Sequence, residues 1–369
     1  MHIGLLIYGS LATVSGGFLY DRQLVQVLYA TGHQVEVISL PWRNYSRHLL
    51  DNWSPAVFER LRCASLDLLL QDELNHPSLA WLNARLRTRV HYPIISIVHH
   101  LRSSEDHPRY LLPLYRWVER SYLQHVDGIL CNSETTRATV TALLGIQKPS
   151  YVAYPAANHR QPPPPAEVHV LIQGRAASSA PLRILFVGNV IARKGLHHLL
   201  RALARVSHDR WHLTVVGSLT SEPLYVGQIR QLVSRLHLAD NVILTGAVSD
   251  GAVVAAYCES DLFVAPAYEG FGIAYLEAMS FGLPVIATTA GAAHEIVTDG
   301  QNGYLVQPEE TSALSAHIDM LCRDRRLLAR MSHAALNRYL AHPTWQASLT
   351  PAVAWLVQQA NGGGSDAVN

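Results

Sequence analysis

Two glutamates eight residues apart, Glu269 and Glu277, flank a glycine-bracketed turn, Gly270-Phe271-Gly272, that opens a helical pattern over 273–281. Residues 261–266 just before it are a short apolar run ending in proline, as expected of an interior parallel strand. The glycines therefore mark a strand-to-helix crest. Ligands bind at such crests in open α/β sheets, because helix N-terminal amides carry partial positive charge there. A carboxylate in that position would repel a pyrophosphate, so Glu269 and Glu277 are expected to face the uncharged hydroxyls of a sugar and a ribose. The matching cation stands in another loop. Only two lysines occur in the chain, and one of them, Lys194, follows Arg193 directly after the strand pattern 183–188 and before a helix. Two adjacent cations beside helix-terminal amides can neutralise a departing diphosphate; two solvated loop charges are the plainer reading.

Ser15-Gly16-Gly17 lies between a strand and a helix in the first half of the chain. Glycine there would permit positive φ and a close approach of backbone to phosphate. The spacing is neither a Walker A loop nor a Gly-x-Gly-x-x-Gly fingerprint, which argues against a P-loop kinase or a nicotinamide enzyme. His99 and His100 end the strand pattern 93–98. Read alone, a histidine at that point is more often structural than catalytic.

Taken with 282–288 and the glycine-spaced stretch 291–306, which follow in the same order, these segments resemble the Glu-x7-Glu signature of retaining family 4 glycosyltransferases. The alternative is an ordinary α/β core helix with two solvated acids. The resemblance covers nearly the whole chain and implies a GT-B fold: two facing Rossmann-like domains with the active site in the cleft between them. It implies transfer of a hexose-type sugar from a nucleoside diphosphate donor to a hydroxyl acceptor, with the donor as a substrate and no cofactor. By the same resemblance Lys194 binds the diphosphate, with Arg193 beside it where many relatives instead have an arginine at the position of Asn189. Gly16 and Gly17 face phosphate, and Glu269, Gly270, Phe271 and Gly272 orient the sugar. Glu277 holds the ribose, and Gly246 in Thr245-Gly246-Ala247 forms the nucleobase-side turn. His99 contacts the sugar beside the reacting carbon, with His100 in reserve. Non-hydrolysing sugar-nucleotide epimerases share the architecture without this combination of motifs, and a non-catalytic nucleotide-sugar-binding subunit is a third possibility.

Length sets the number of cores. At 369 residues, 49% hydrophobic and only 15% charged, the chain suits two domains of roughly 150–200 residues. Its formal net charge of +1 gives no global field for nucleic acid, so any basic site must be local. Cys63, Cys131, Cys258 and Cys322 are far apart, which fits buried thiols in a reducing compartment better than zinc or disulfides. No two aspartates stand two apart. The metal-binding Asp-x-Asp motif is therefore missing, and no catalytic metal is expected. The N-terminus reads as a strand and no apolar run is long enough to span a bilayer, so a cytoplasmic enzyme is expected, with peripheral contact to a membrane's inner face as an option.

Strand patterns at 3–8, 34–40, 66–71, 93–99, 128–132 and 151–154 alternate with helical ones, and a second series runs at 183–188, 211–217, 241–245, 261–265, 284–287 and 304–306. Such alternation implies parallel sheets with right-handed crossovers. The proline-rich stretch beginning near 160 reads as a break. The expected organisation is an acceptor-binding Rossmann-like domain over 1–160, a linker over 161–181 and a nucleotide-sugar-binding domain over 182–343. A helix over 344–360 then crosses back to the first domain, and 361–369 form a flexible tail. Asn132-Ser133-Glu134 reads as a helix cap or as an acceptor or phosphate contact. Arg102 and Glu105 either belong to a polar loop or line the acceptor side. Residues 41–62 and 101–116 match no motif, and the aromatic, apolar and basic mixture around 110–123 fits a buried interdomain helix or a lipid interface.

Overall fold

The structure, a computed structural model, describes residues 1–362. It contains two compact units, Met1–Pro155 joined by the segment from Thr344, and Ala156–Pro343. Every sheet pairing in both units is parallel.

The first unit has six strands: β1 His2–Tyr8, β2 Gln34–Leu40, β3 Leu68–Asp72, β4 Ile94–Val98, β5 Gly128–Cys131 and β6 Ser150–Val152, in the order β2-β1-β3-β4-β5-β6. The near-continuous apolar runs follow from burial on both faces, since crossover helices cover a parallel sheet above and below. β3, β4 and β5 are buried along their whole length, whereas the edge strand β2 is largely exposed. The strand order reverses between β1 and β3, which puts the ligand-facing switch point of this unit at the C-terminal ends of those two strands. The last helix, Trp345–Gly362, packs within this unit: Ser348 Oγ donates to the Tyr154 carbonyl at 2.6 Å, and the Trp345 ring meets Tyr20 edge-on at 5.7 Å.

The second unit holds β7 Leu182–Val187, β8 Trp211–Val216, β9 Val242–Gly246, β10 Leu262–Ala265, β11 Val285–Thr288 and β12 Gly303–Val306, ordered β12-β11-β10-β7-β8-β9. This is the doubly wound order of a Rossmann sheet, with its switch point between β7 and β10. One expectation fails here. The stretch read as a linker over 161–181 carries the helix Pro165–Ala177, and it is part of the second unit's core. The prolines that suggest a break end in Pro165 at the first helical position, where a missing N–H costs nothing. Val168 and Ile172 pack with Leu336, and the buried Arg175 donates to the carbonyls of Phe281, Gly282, Tyr257 and Cys258. Of the tail expected over 361–369, Asn361 and Gly362 belong to the last helix, and residues 363–369 lie outside the described residues.

Candidate functional site

At the switch point of the second unit, the loops after β7 and β10 meet. The β7 loop makes a short turn, Ala192–Lys194, closed by Gly195 at φ +69°. A side chain there would clash as well as strain, because a Cβ on Gly195 would lie 2.4 Å from the Pro266 carbonyl oxygen in the loop after β10. That close approach seats Lys194 against Glu269, and Lys194 Nζ forms an ion pair with Glu269 Oε1. Both side chains remain about one-fifth exposed, at 21% and 20%. Arg193 Nη1 donates to the Tyr268 carbonyl at 3.4 Å. The Glu269 backbone is fixed from the other side, where the Ala292 amide donates to its carbonyl at 2.9 Å.

Gly272, in the left-handed region at φ +100°, starts the helix Ile273–Ser280 and aims its first turn at this loop. Phe271 differs from a sugar-facing residue. It is 3% exposed, with the His342 ring 5.8 Å away, and so braces the loop from beneath. One turn along the helix, the buried Glu277 is held by three groups. Arg160 Nε donates to Oε1 at 2.9 Å, His159 Nε2 lies 2.8 Å from the same oxygen, and the Tyr257 hydroxyl donates to Oε2 at 2.8 Å. Burial pushes the Glu277 carboxyl up, but the His159 hydrogen bond, the Arg160 charge and the Tyr257 hydroxyl together outweigh it and hold the group below its ordinary value. A carboxylate has about four acceptor positions, so Oε2 keeps one for a hydroxyl. His159 and Arg160 escaped the sequence reading because they stand at the edge of the proline-rich stretch, more than a hundred residues before Glu277. Gly246 closes β9 at φ +77°, and its carbonyl accepts from the Gly217 amide at 3.0 Å.

In the first unit, Gly16 and Gly17 are the first two residues of the helix Gly16–Ala30, capped by Ser15, whose Oγ accepts from the Phe18 amide. The reason expected for these glycines is corrected: both are helical, and neither has left-handed φ. Space decides Gly17, where a Cβ would lie 3.1 Å from Cδ2 of His99. His99 is buried against this helix start, with Nε2 3.4 Å from Asp21 Oδ1 and its amide donating to Glu73 Oε2 at 3.1 Å. Burial lowers the His99 ring below its ordinary value, partly offset by the Asp72 charge. Asp21, Asp72 and His99 each bring one ligand-type atom within 4.8 Å of the others, a grouping able to hold a small cation. No local spacing marks this group in the sequence, because the three residues come from a helix, the end of β3 and the loop after β4. Both carboxyls are fully buried, and desolvation raises each to about 7, so a proton held between them would relieve their mutual repulsion.

His100 faces elsewhere. It lines a cavity of ≈ 180 Å³ together with Trp42, Tyr45, His76, Arg102 and Glu105, and its Nε2 lies 2.8 Å from Glu105 Oε1. The Arg102 guanidinium sits 5.0 Å from the Tyr45 ring centroid and 4.8 Å from that of Tyr115. Beneath the cavity, the Tyr8 hydroxyl bonds Ser78 Oγ at 2.6 Å, which donates to Asp51 Oδ2 at 2.8 Å. Arg102 and Glu105 thus belong to a built pocket. Ser133 has the helix-cap role, accepting from the Thr136 amide at 3.0 Å.

Comparison with known proteins decides the family. Residues 14–161 match the model of Glycosyltransferase Family 4, and residues 172–338 match that of Glycosyl transferases group 1. The chain belongs to this family of glycosyltransferases. Within the family it is 26% identical to the phosphatidyl-myo-inositol mannosyltransferase of Mycobacterium leprae, over 92% of this chain and 93% of that one. It is 23% identical to the alpha-D-kanosaminyltransferase of Streptomyces kanamyceticus, over 66% of this chain and 64% of the relative, so the chain spans under two thirds of that protein. Among solved family folds, the sucrose-phosphate synthase from Thermosynechococcus elongatus superposes with a TM-score of 0.82 at 20% identity, over 98% of this chain and 99% of that one. Anabaena HepE in complex with UDP and glucose gives 0.74 at 21% identity, over 98% and 99%. The fold of this glycosyltransferase family member is GT-B.

Proposed function

We propose that this chain is a retaining glycosyltransferase that moves a hexose-type sugar from a nucleoside diphosphate to a hydroxyl acceptor, without a catalytic metal, in the cytoplasm. The observation that carries the reading is the Lys194–Glu269 ion pair at the switch point of the second unit. Without a donor the two side chains neutralise one another. With a donor bound, Lys194 exchanges Glu269 for the diphosphate, and the freed carboxylate accepts a sugar hydroxyl. Charge on the leaving diphosphate grows as the bond from the anomeric carbon to phosphate oxygen breaks, so a cation fixed there stabilises the transition state more than the ground state. The acceptor oxygen bonds to the same face of that carbon, and its proton passes to the leaving phosphate oxygen. Arg193 adds positive potential, and Glu277 offers its remaining acceptor position to a ribose hydroxyl. A relative named for GDP-mannose and a related fold solved with UDP-glucose make these two nucleotide sugars the first donors to try.

The acceptor role falls to the first unit. Its cavity combines the exposed indole of Trp42 with Arg102, His100 and Glu105. His99, buried under the helix start, braces that geometry, while His100 meets the acceptor. The experiment is a thermal-shift screen of nucleotide sugars followed by proton NMR of fresh product. A donor at a hundred times its dissociation constant should stabilise the protein by roughly 2.7 kcal/mol, and the product should keep the donor's anomeric configuration. An α-linked donor yielding a β-linked product would overturn the reading.

A further inference from the structure

The first unit carries a surface that the transfer reaction does not use. Trp53, Trp81 and Trp117 come from three separate segments, yet their rings form a ladder, with centroids 5.6 Å apart for the first pair and 5.0 Å for the second. Trp53 and Trp117 are 62% and 55% exposed. Leu50, one helical turn before Trp53, is 67% exposed, and Leu114, one turn before Trp117 on the helix Leu112–Gln124, is 40% exposed. That helix buries Tyr115, Val118, Tyr122 and Leu123 in the unit's core, so Leu114 and Trp117 are on the face the core does not need.

The charge in the segments around the ladder is mainly positive. The segments that supply it, residues 42–62, 81–89 and 109–120, contain ten arginines and three acids, Asp51, Glu59 and Glu119, in a chain whose formal net charge is only +1. Asp51 pairs with Arg43, Glu59 with Arg62 and Asp127 with Arg87, and Glu119 is buried, so the excess in these segments is carried by Arg47, Arg60, Arg85, Arg89, Arg109, Arg116 and Arg120. Arg116 and Arg120 are exposed beside Trp117, and Arg85 is tied next to Trp53 through its hydrogen bond to the Asn52 carbonyl at 2.7 Å.

We propose that this tryptophan–arginine surface seats the first unit on an anionic lipid bilayer. Indole rings favour the headgroup level, where one edge is apolar and the other wet, and arginines are attracted to an anionic leaflet while their stems cover apolar surface. No helix among the described residues is long and apolar enough to cross a membrane, so the attachment is peripheral. A second copy of the chain fits poorly, because the patch would meet its own positive charge. Nucleic acid does not account for the exposed leucines.

The test is sedimentation of the full chain with phosphatidylcholine vesicles, with and without phosphatidylglycerol, together with the tryptophan emission spectrum. The protein should pellet only with anionic vesicles, with a blue shift of emission. Arg116→Gln with Arg120→Gln should weaken binding about 30-fold, from roughly a fivefold contribution per arginine. Trp53→Ser with Trp117→Ser should remove the blue shift, and both double variants should retain donor hydrolysis, which reports the fold and the transfer site separately. Equal pelleting with neutral vesicles, no pelleting at all, or unchanged binding by folded double variants would overturn the proposal. So would a wild-type dimer that Trp117→Ser dissociates, or retention on nucleic acid in place of vesicles.

Discussion

Lys194, Glu269 and Glu277 show how differently two acids of one motif are used. Glu269 shares a partly exposed ion pair that a ligand can open, whereas Glu277 is buried among Arg160, His159 and Tyr257. Removing Arg160 leaves a buried carboxylate with less compensation, and breaking such a pair costs about 3–5 kcal/mol. Since His159 and Tyr257 remain, Arg160→Ala should cost about 3 kcal/mol at neutral pH, measured by denaturant unfolding. The pH dependence has a definite sign. The folded-state value of Glu277 lies below its ordinary 4.5, so its contribution is present above that value and is lost as pH falls through the lower, folded one. The deficit of the Arg160→Ala variant should therefore shrink in acid. A deficit that stays constant down to pH 3 would show that Arg160 acts through packing alone. Arg160 and His159 were illegible in the sequence for a physical reason: nothing local marks a side chain that pairs across a folded unit.

The elements were far more legible than the contacts. Parallel strands buried on both faces leave short apolar runs with turn residues at their ends, and each of the twelve expected strands has its counterpart in β1 to β12. The helix Pro165–Ala177 was hidden because prolines signal a break before they signal a helix start. Gly17 is restricted by space and not by backbone freedom, because only the folded unit brings the His99 ring 3.1 Å from where a Gly17 Cβ would be. Gly195 joins two elements. With φ at +69° and the Pro266 carbonyl oxygen 2.4 Å from a Cβ, Gly195→Ala must strain the backbone and push the β7 loop from the β10 loop. Left-handed φ alone costs about 1–2 kcal/mol. The variant should be less stable by at least that much and should lose donor affinity; wild-type donor binding would mean that the Lys194 loop does not depend on this approach.

Across the whole molecule, two sheets of the same parallel type carry different chemistry at their switch points. The second unit presents Lys194 and Glu269, and the first presents the buried group Asp21, Asp72 and His99 beside the helix start at Gly17. The metal-free reading has its own check. Transfer should survive excess EDTA, because a proton held between Asp21 and Asp72 relieves their repulsion without a cation; complete loss of activity restored by manganese would assign the group to a cation instead. The net charge of +1 conceals the strongly basic ladder surface, which sequence composition alone averages away. The central claim is that Lys194 stabilises a departing diphosphate, and the most direct measurement compares single-turnover cleavage of the preferred nucleotide sugar by the wild type and Lys194→Ala. Removing one fixed charge-stabilising donor costs about 10²–10³ in rate, and that loss is expected with the fold intact. A folded Lys194→Ala variant that cleaves the donor within threefold of the wild-type rate would contradict it.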